Sequence, residues 1–416
     1  MQKMKVLGSS RLFGEVQASG AKNAVLPILA ATLLTSEAVV LHNVPQLTDV
    51  LLMQKLLISL GVTVKQTGSH SLFIQAKSLN TTSILSDDAQ LMRGSVLTLG
   101  PLTARFGLAK LVLPGGCSIG ARPIDQHIKA LNALGANVEI DENHVQAKAN
   151  RLLGTHIKTD MVTVTGTANI IMAAVLAEGL TVIENAACEP EIVDLVNLLK
   201  LMGANIRGEG TSCIEIIGVN ALHGTEYTVM ADRIEAGSFL CAAVATQGDV
   251  LVSGIQPTIL ANVTRKLHKM GCSIDFGNDW VRAKIQKRPL AVNIITEPHP
   301  GFPTDMQSQF MVLNAIAEGA SCITETIFEN RFMHVPELVK MGAQISVNGQ
   351  NAHIQGVPNL YGAEVKATDL RASAALIIAA LAAKGDSIIN NIAYLDRGYE
   401  SMETKLNQLG AKILRI

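Results

Sequence analysis

The sequence predicts an α/β fold of two domains, built from six copies of one strand–helix–strand–helix–strand–strand unit, with three copies in each domain. The chain has 416 residues, more than one typical domain holds. Hydrophobic residues make up 48% of it and aromatic residues only 3%, so its apolar mass is aliphatic, as in helices packed on sheets. A Leu-Gly or Met-Gly pair followed by alternating apolar and polar residues also recurs six times.

The repeat is regular in length and in internal order. Successive copies are separated by 74, 68, 68, 71 and 68 residues, which is longer than the roughly 20 to 50 residues of solenoid repeats. Each recurring glycine ends an amphipathic helix pattern, where a left-handed C-cap costs a residue without Cβ little. A repeat protein that only binds is the alternative, but charged residues that differ between equivalent points favour an enzyme. The recurring glycines are Gly61, Gly135, Gly203, Gly271, Gly342 and Gly410.

The two ends of the chain are predicted to share a domain. After Gly410 only AKILRI remains, which is enough for one strand but not for its hairpin partner. The segment KVLGSSRLFGEVQASG at 5–20 resembles the segments that follow the other hairpins. We therefore predict one domain over 22–229, which carries repeats 1–3, and a second over 1–21 plus 230–416, which carries repeats 4–6.

Composition excludes several functional classes. The formal net charge of -1 provides no basic excess for nucleic-acid binding. The N-terminus lacks the apolar core of a signal peptide, and no stretch approaches the roughly 20 apolar residues of a spanning helix. We therefore expect a cytoplasmic protein that is not bound to a membrane. The six cysteines and ten histidines show no CxxC or HExxH spacing, so no metal site is predicted. The oligomeric state is left open.

Charged and polar residues gather where the first helix of each copy begins. Asp and Thr are good N-caps, so Asp305 and Asp369 could be caps and nothing more. A positive charge at a helix start opposes the helix dipole. Cations there therefore predict an anionic ligand or a partner carboxylate. The residues at these starts are Lys22, Asn23, Arg93, Thr167, Asn169, Asp232, Arg233, Glu235, Asp305, Asp369 and Arg371.

The segment LPGGCSIGARPIDQH at 113–127 is the most informative stretch of the chain. Its three glycines let backbone N–H groups approach a ligand. Cys117 lies among them with Arg122 nearby, surroundings that can lower the pKa of a thiol and make it reactive. A loop cysteine without chemistry is the alternative. The other five cysteines lie in apolar patterns and are predicted to be small core residues.

In the 113–127 segment and in seven further segments, the chain resembles the UDP-N-acetylglucosamine enolpyruvyl transferases. The resemblance extends over essentially its whole length. The resemblance implies the two-domain inside-out α/β barrel of the EPSP synthase-like superfamily. It also implies transfer of the enolpyruvyl group of phosphoenolpyruvate to the 3-hydroxyl of UDP-N-acetylglucosamine, without a metal or redox cofactor. The matching segments are SGAKNA at 19–24, LMRGS at 91–95, the 113–127 segment, 177–195, PHPGFPTDMQSQF at 298–310, ITETIFENRFMHVPEL at 323–338, ATDLRASAAL at 367–376 and YLDRGYE at 394–400.

The resemblance also implies roles for individual residues. Cys117 would protonate C3 of phosphoenolpyruvate, and Asp305 would be the base for the sugar hydroxyl. The residues implied to hold the phosphate and carboxylate of phosphoenolpyruvate are Lys22, Arg122 and Arg397. Those implied to bind elsewhere in the two substrates are Asn23, Arg93, Pro123, Ile124, Asp125, Gln126, Asp305, Ile327, Asp369 and Arg371.

Two positions differ from the residues that relatives carry there. Met161 falls where many relatives carry a lysine near the nucleotide diphosphate, and Leu97 where some carry an aromatic residue.

A shikimate-3-phosphate enolpyruvyl transferase shares the fold but lacks the 113–127 segment. A cyclase of RNA 3'-phosphates would need a basic surface. A non-catalytic sugar-nucleotide-binding protein would keep the pocket and lose the chemistry.

Overall fold

The computed structural model describes residues 2–86, 90, 92–113 and 124–416. Within it the chain forms two compact units. One unit comprises 2–19 and 231–416, and the other comprises the described residues between 20 and 230.

Twelve α-helices lie in the described residues, together with several short 3₁₀ helices. In chain order they are α1 (Lys22–Ala31), α2 (Thr48–Ser59), α3 (Leu99–Phe106), α4 (Asp125–Ala133), α5 (Val164–Ala174), α6 (Pro190–Leu201), α7 (Arg233–Ala245), α8 (Ala261–Lys269), α9 (Gln307–Ile316), α10 (Val335–Lys340), α11 (Leu370–Ala382) and α12 (Met402–Gln408).

The same residues form 24 strands, most of them three to five residues long. In chain order they are β1 (Lys3–Val6), β2 (Phe13–Gln17), β3 (Ala38–His42), β4 (Thr63–Gly68), β5 (Ser71–Gln75), β6 (Ser83–Ile84), β7 (Leu108–Val112), β8 (Asn137–Ile140), β9 (His144–Lys148), β10 (His156–Lys158), β11 (Leu180–Glu184), β12 (Asn205–Arg207), β13 (Cys213–Ile217), β14 (Thr225–Thr228), β15 (Asp249–Ser253), β16 (Ser273–Phe276), β17 (Trp280–Lys284), β18 (Ile294–Ile295), β19 (Ala320–Thr324), β20 (Gln344–Asn348), β21 (Asn351–Gln355), β22 (Glu364–Lys366), β23 (Ser387–Asn390) and β24 (Ile413–Arg415).

The strands form six sheets of four strands, which confirms the predicted α/β fold of six repeats, three in each unit. Every sheet has one plan: a parallel edge strand, a central strand and an antiparallel pair of strands, which is a hairpin in five of the six sheets. The unit holding both chain ends contains sheets β16–β17–β15–β2, β18–β19–β21–β20 and β22–β23–β1–β24. The other unit contains sheets β14–β3–β5–β4, β6–β7–β9–β8 and β10–β11–β13–β12.

The N-terminal strands take part in sheets made mostly from the second half of the chain. β1 lies between β23 and β24 and pairs antiparallel with both, with Met4 opposite Ile389 and Arg415. β2 pairs in parallel with β15. In the other unit, β14 pairs in parallel with β3. The last copy of the repeat is therefore completed by the first strand of the chain.

The six recurring glycines all have the left-handed backbone that the sequence predicts. Gly61, after α2, has φ +97°, and Gly410, after α12, has φ +99°. At the other four positions φ lies between +90° and +100°. An added Cβ would strain the backbone at every one of these helix ends.

The helices that open several repeats form the centre of each unit. All residues of α7 are buried, as are most of α9 and α11 in the same unit and of α1 and α5 in the other. A helix that is apolar on all sides must be covered on all sides. Ala, Gly and Ser allow close helix packing, and the sheets lie outside. Within the described residues, no helix is long and apolar enough to cross a membrane.

Two predictions from the sequence are wrong in detail. The helix of the third repeat begins at Val164 and is capped by the Thr163 hydroxyl, which accepts from Gly166 N, so Thr167 and Asn169 lie inside it. Cys213 is not a core residue but is exposed, because it begins β13 on the outward-facing register of that strand. Cys241 and Cys272 are buried, as predicted.

A buried carboxyl group ties β14 to α6. The Tyr227 hydroxyl donates to Asp194 Oδ1 at 2.6 Å, and Met230 N donates to Oδ2 at 3.2 Å. Burial raises the pKa of Asp194 from 3.8 to about 6, against the effect of these two hydrogen bonds. Its ionisation near neutral pH therefore opposes folding.

Because the folded state raises this pKa, the contribution of Asp194 to stability is complete below pH 3.8 and is lost as the pH rises through about 6. We expect Asp194→Asn to reduce the loss of stability between about pH 4 and about pH 8, by about 1.4 kcal/mol in the free energy of unfolding for each unit of pKa shift. Melting temperatures across this pH range measure the change. The exposed Glu215→Gln variant is the control. An unchanged fall in the Asp194→Asn protein would contradict the account.

Candidate functional site

The start of α1 carries a buried ion pair. Lys22 is the first residue of α1, and its Nζ lies 2.8 Å from Asp49 Oδ2 in the first turn of α2. Both side chains are buried, while Asn23 is exposed. A partner carboxylate, one of the two alternatives left open by the sequence, therefore faces this cation. Asp49 was not predicted, although its place at a helix start is the same kind of signal.

The start of α4 holds the described part of the Arg122–Gln126 segment, which is predicted to bind substrate. Ile124 is at the N-cap position, and Asp125 and Gln126 open the helix. Buried Gln126 accepts from Asp160 N at 3.0 Å and donates to Asp160 Oδ2 at 3.0 Å. Hydrogen bonds from Lys129 and Gln126 lower the pKa of Asp160. The exposed side chain of Met161 thus follows directly after the carboxylate of Asp160.

A buried histidine lies next to this helix start in the same unit. The pKa of His127 falls to about 4, chiefly because of burial and secondly because of the positive charge of Arg93. Its Nδ1 lies 2.7 Å from Asn169 Nδ2, which donates to it, so the ring is neutral. Asn169 Oδ1 also accepts from Gly100 N at 2.6 Å. Arg93 is half-buried and begins a 3₁₀ helix.

The other unit holds a carboxylate between two buried arginines. Asp305 Oδ1 accepts from Arg331 Nη2 at 2.7 Å, and Oδ2 accepts from Arg371 Nη2 at 2.8 Å. The guanidinium groups are nearly inaccessible, whereas a quarter of the Asp305 side chain is exposed. Two cations favour the ionised carboxylate and fix its plane.

Opposing effects act on Arg371. Burial works to lower the pKa of its guanidinium, but electrostatic interactions, chiefly with Asp305, together with its hydrogen bond to Asp305, outweigh burial and raise it. The guanidinium carbon lies 5.3 Å from the centroid of the Tyr399 ring. Asp369 caps α11 by accepting from the backbone N of Arg371 at 2.9 Å. Arg371 thus remains charged inside the unit and is held at both its backbone and its side chain.

The remaining predicted residues fall into two groups. Ile327 lies in the segment after β19, and half-buried Arg397 ends the 3₁₀ helix Ile392–Arg397. Cys117, Arg122 and Pro123 lie outside the described residues. The sequence interpretation missed Arg331 and Glu325, although both fall in the 323–338 segment that it singled out. Among the described residues, no group of three or more His, Cys, Asp or Glu side chains could hold a metal ion.

Comparison with solved structures places this fold among known enzymes. The chain resembles the enolpyruvyl transferase NikO from Streptomyces tendae at 26% identity and a TM-score of 0.91, covering 100% of this chain and 99% of that one. It resembles EPSP synthase from Acinetobacter baumannii at 19% identity and a TM-score of 0.78, covering 100% of both chains. A second structure of that enzyme gives 19% identity and 0.76. These last two matches show the fold alone.

The fold and its matches to solved structures place the chain in the class of enolpyruvyl transferases. The family model described as EPSP synthase (3-phosphoshikimate 1-carboxyvinyltransferase) matches residues 6–406. The chain therefore belongs to the EPSP synthase family, and it is a transferase. The predicted EPSP synthase-like fold is confirmed.

Replacement of Asp305 should destabilise the unit that contains it. Asp305→Asn leaves Arg331 and Arg371 buried without their countercharge, and we expect a loss of about 2 to 4 kcal/mol in the free energy of unfolding, reduced by the partial exposure of Asp305. Urea denaturation followed by circular dichroism measures it.

The matched control for that prediction is Asp386→Asn. Asp386 pairs with Lys5 at 3.0 Å with both side chains about half exposed, so a change within about 0.5 kcal/mol is expected. Equal effects of the two substitutions would show that the paired arginines do not depend on Asp305.

Proposed function

We propose that the chain is a cytoplasmic UDP-N-acetylglucosamine 1-carboxyvinyltransferase, which transfers the enolpyruvyl group of phosphoenolpyruvate to the sugar 3-hydroxyl in the first committed step of peptidoglycan biosynthesis. The observation that carries the proposal is the segment LPGGCSIGARPIDQH at 113–127, with a thiol among glycines followed by Arg122 and the start of α4. The arginine-held carboxylate of Asp305 supports it, since a base is needed for the acceptor hydroxyl.

The reaction proceeds by addition and then elimination. Asp305 accepts the proton of the sugar hydroxyl while the oxygen bonds to C2 of phosphoenolpyruvate, and Cys117 gives a proton to C3. Loss of phosphate from C2 and of a proton from C3 then restores the double bond as a vinyl ether. Acid and base must act on different atoms at once, so the two groups need separate positions and opposite protonation states.

Cations hold the substrate charges in this proposal. Lys22, Arg122 and Arg397 bind the phosphate and carboxylate of phosphoenolpyruvate, because guanidinium groups can bind such anions in bidentate fashion. Arg93, Asp369 and Arg371 support them. The sugar nucleotide is bound by Asn23, Ile327 and the Arg122–Gln126 segment, which comprises Arg122, Pro123, Ile124, Asp125 and Gln126. Met161 leaves the diphosphate without a lysine contact at that position, so this contact is weakened or made by another group.

The second candidate is transfer to shikimate 3-phosphate, which the description of the matching family model favours. Against it stands the 113–127 segment, which contributes a thiol that this sister reaction does not need. A non-catalytic sugar-nucleotide-binding protein would bind the acceptor but release no phosphate. The acceptor requirement of phosphate release separates the three functions.

We expect purified protein to release inorganic phosphate from phosphoenolpyruvate only when UDP-N-acetylglucosamine is present. Cys117→Ala should abolish release, because Cys117 is the group proposed to give the proton to C3, while Cys213→Ala, at an exposed cysteine, should leave the rate unchanged. A colorimetric phosphate assay measures both. Release with shikimate 3-phosphate alone would assign the sister reaction, and no release with either acceptor would favour the binding protein.

The 113–127 segment also predicts selective alkylation. An epoxide antibiotic of the fosfomycin type should label Cys117, since a thiol with glycines as sequence neighbours and Arg122 five residues on is expected to ionise more readily than an isolated one. Peptide mass spectrometry after brief exposure should find the adduct there and not at Cys213. Equal labelling of both cysteines would contradict the reactive environment proposed for Cys117.

A further inference from the structure

A buried glutamate joins two segments of the acceptor side of the proposed site. Glu325 follows β19, and only 1% of the residue is exposed. Its Oε1 accepts from Thr296 Oγ1 at 3.0 Å, from Ile327 N at 2.9 Å and from Phe328 N at 3.1 Å. Its Oε2 accepts from Thr304 Oγ1 at 2.9 Å. Both carboxylate oxygens are therefore used.

The four donors connect separate parts of the chain. Thr304 immediately precedes Asp305 and begins the 3₁₀ helix Thr304–Met306. The backbone N of Ile327 belongs to the residue whose side chain is proposed to contact the sugar nucleotide. Thr296 adds a second link to that segment, because its hydroxyl accepts from Thr326 N at 2.9 Å and its carbonyl accepts from the Thr326 hydroxyl at 2.5 Å. One side chain thus holds the base and the Ile327 segment at a set distance.

The chemistry of the four partners explains why an acidic residue suits this position. All four are neutral donors, and an ionised carboxylate accepts without donating, so no donor has to turn away. Removal of the carboxylate would leave two backbone N–H groups and two hydroxyls without their acceptor in a buried place, which is costly. A glutamine keeps the oxygen for the three Oε1 donors, and the Thr304 hydroxyl can reverse and accept from its amide.

We propose that Glu325 is a positioning residue that sets the geometry of Asp305 and Ile327 and thereby the use of the sugar-nucleotide acceptor. It touches neither substrate. The inference rests on the proposed function, because it assigns Asp305 and Ile327 to the acceptor. It predicts that the Glu325 network affects the acceptor and not phosphoenolpyruvate, which is assigned to other residues.

Steady-state kinetics with both substrates varied tests this. Thr304→Val removes only the link to the Asp305 helix, and we expect kcat/KM for the acceptor to fall about tenfold, as for one buried hydrogen bond. The KM for phosphoenolpyruvate should stay within about twofold. Glu325→Ala should lower kcat/KM for the acceptor further, and Glu325→Gln should restore it to within about threefold of wild type. Thr324→Val is the control, because its hydroxyl donates to Asn351 and not to Glu325.

Three outcomes overturn the inference. These are an unchanged acceptor kcat/KM in Thr304→Val, a rise in the KM for phosphoenolpyruvate beyond about twofold, and a loss in Thr324→Val as large as in Thr304→Val. If Glu325→Ala does not fold, Thr304→Val and Glu325→Gln decide the matter. Failure of the proposed function looks different: wild-type protein would not use UDP-N-acetylglucosamine at all. The kcat/KM for the acceptor and the KM for phosphoenolpyruvate would then be compared with the acceptor that does support phosphate release.

Discussion

Burial of the central helices on all sides constrains the rest of this structure. α7, α9 and α11 in one unit, like α1 and α5 in the other, are covered along nearly their whole length, and most of their side chains are apolar. An unpaired charge within such a helix would cost several kcal/mol. Charged groups are therefore concentrated at the helix ends, and Lys22, Asp305 and Arg371 all lie within two residues of the first residue of one of these helices.

Pairing is what allows those charges to remain in nearly dry surroundings. Lys22 faces Asp49, and Asp305 lies between Arg331 and Arg371. Each pair fixes a side chain that the proposed reaction uses, so stability and chemistry rest on the same contacts. In the Asp305 region, hydrogen bonds from neutral donors to Glu325 add a second layer, which links the Thr304 side chain next to the base with the backbone at Ile327.

The sequence predicts the local features well. The six glycines at helix ends could be predicted because a left-handed backbone depends mainly on one residue and its immediate neighbours. The sixfold pattern then led to the correct repeat order. Ion pairs between distant residues were harder: Asp49 and Arg331 lie 27 and 26 residues from their partners, and no periodic pattern marks them. The third-repeat helix was misplaced because Thr163 and Thr167 are equally good caps in sequence.

The choice of acceptor is the central claim, and one competition experiment tests it most directly. Protein is incubated with ¹³C-labelled phosphoenolpyruvate and equal amounts of UDP-N-acetylglucosamine and shikimate 3-phosphate, and the products are identified by mass spectrometry. The account predicts label only in an enolpyruvyl ether of the sugar nucleotide, and none there in the Cys117→Ala protein. Label in the shikimate product alone would contradict the account and assign the chain to the sister reaction of its family.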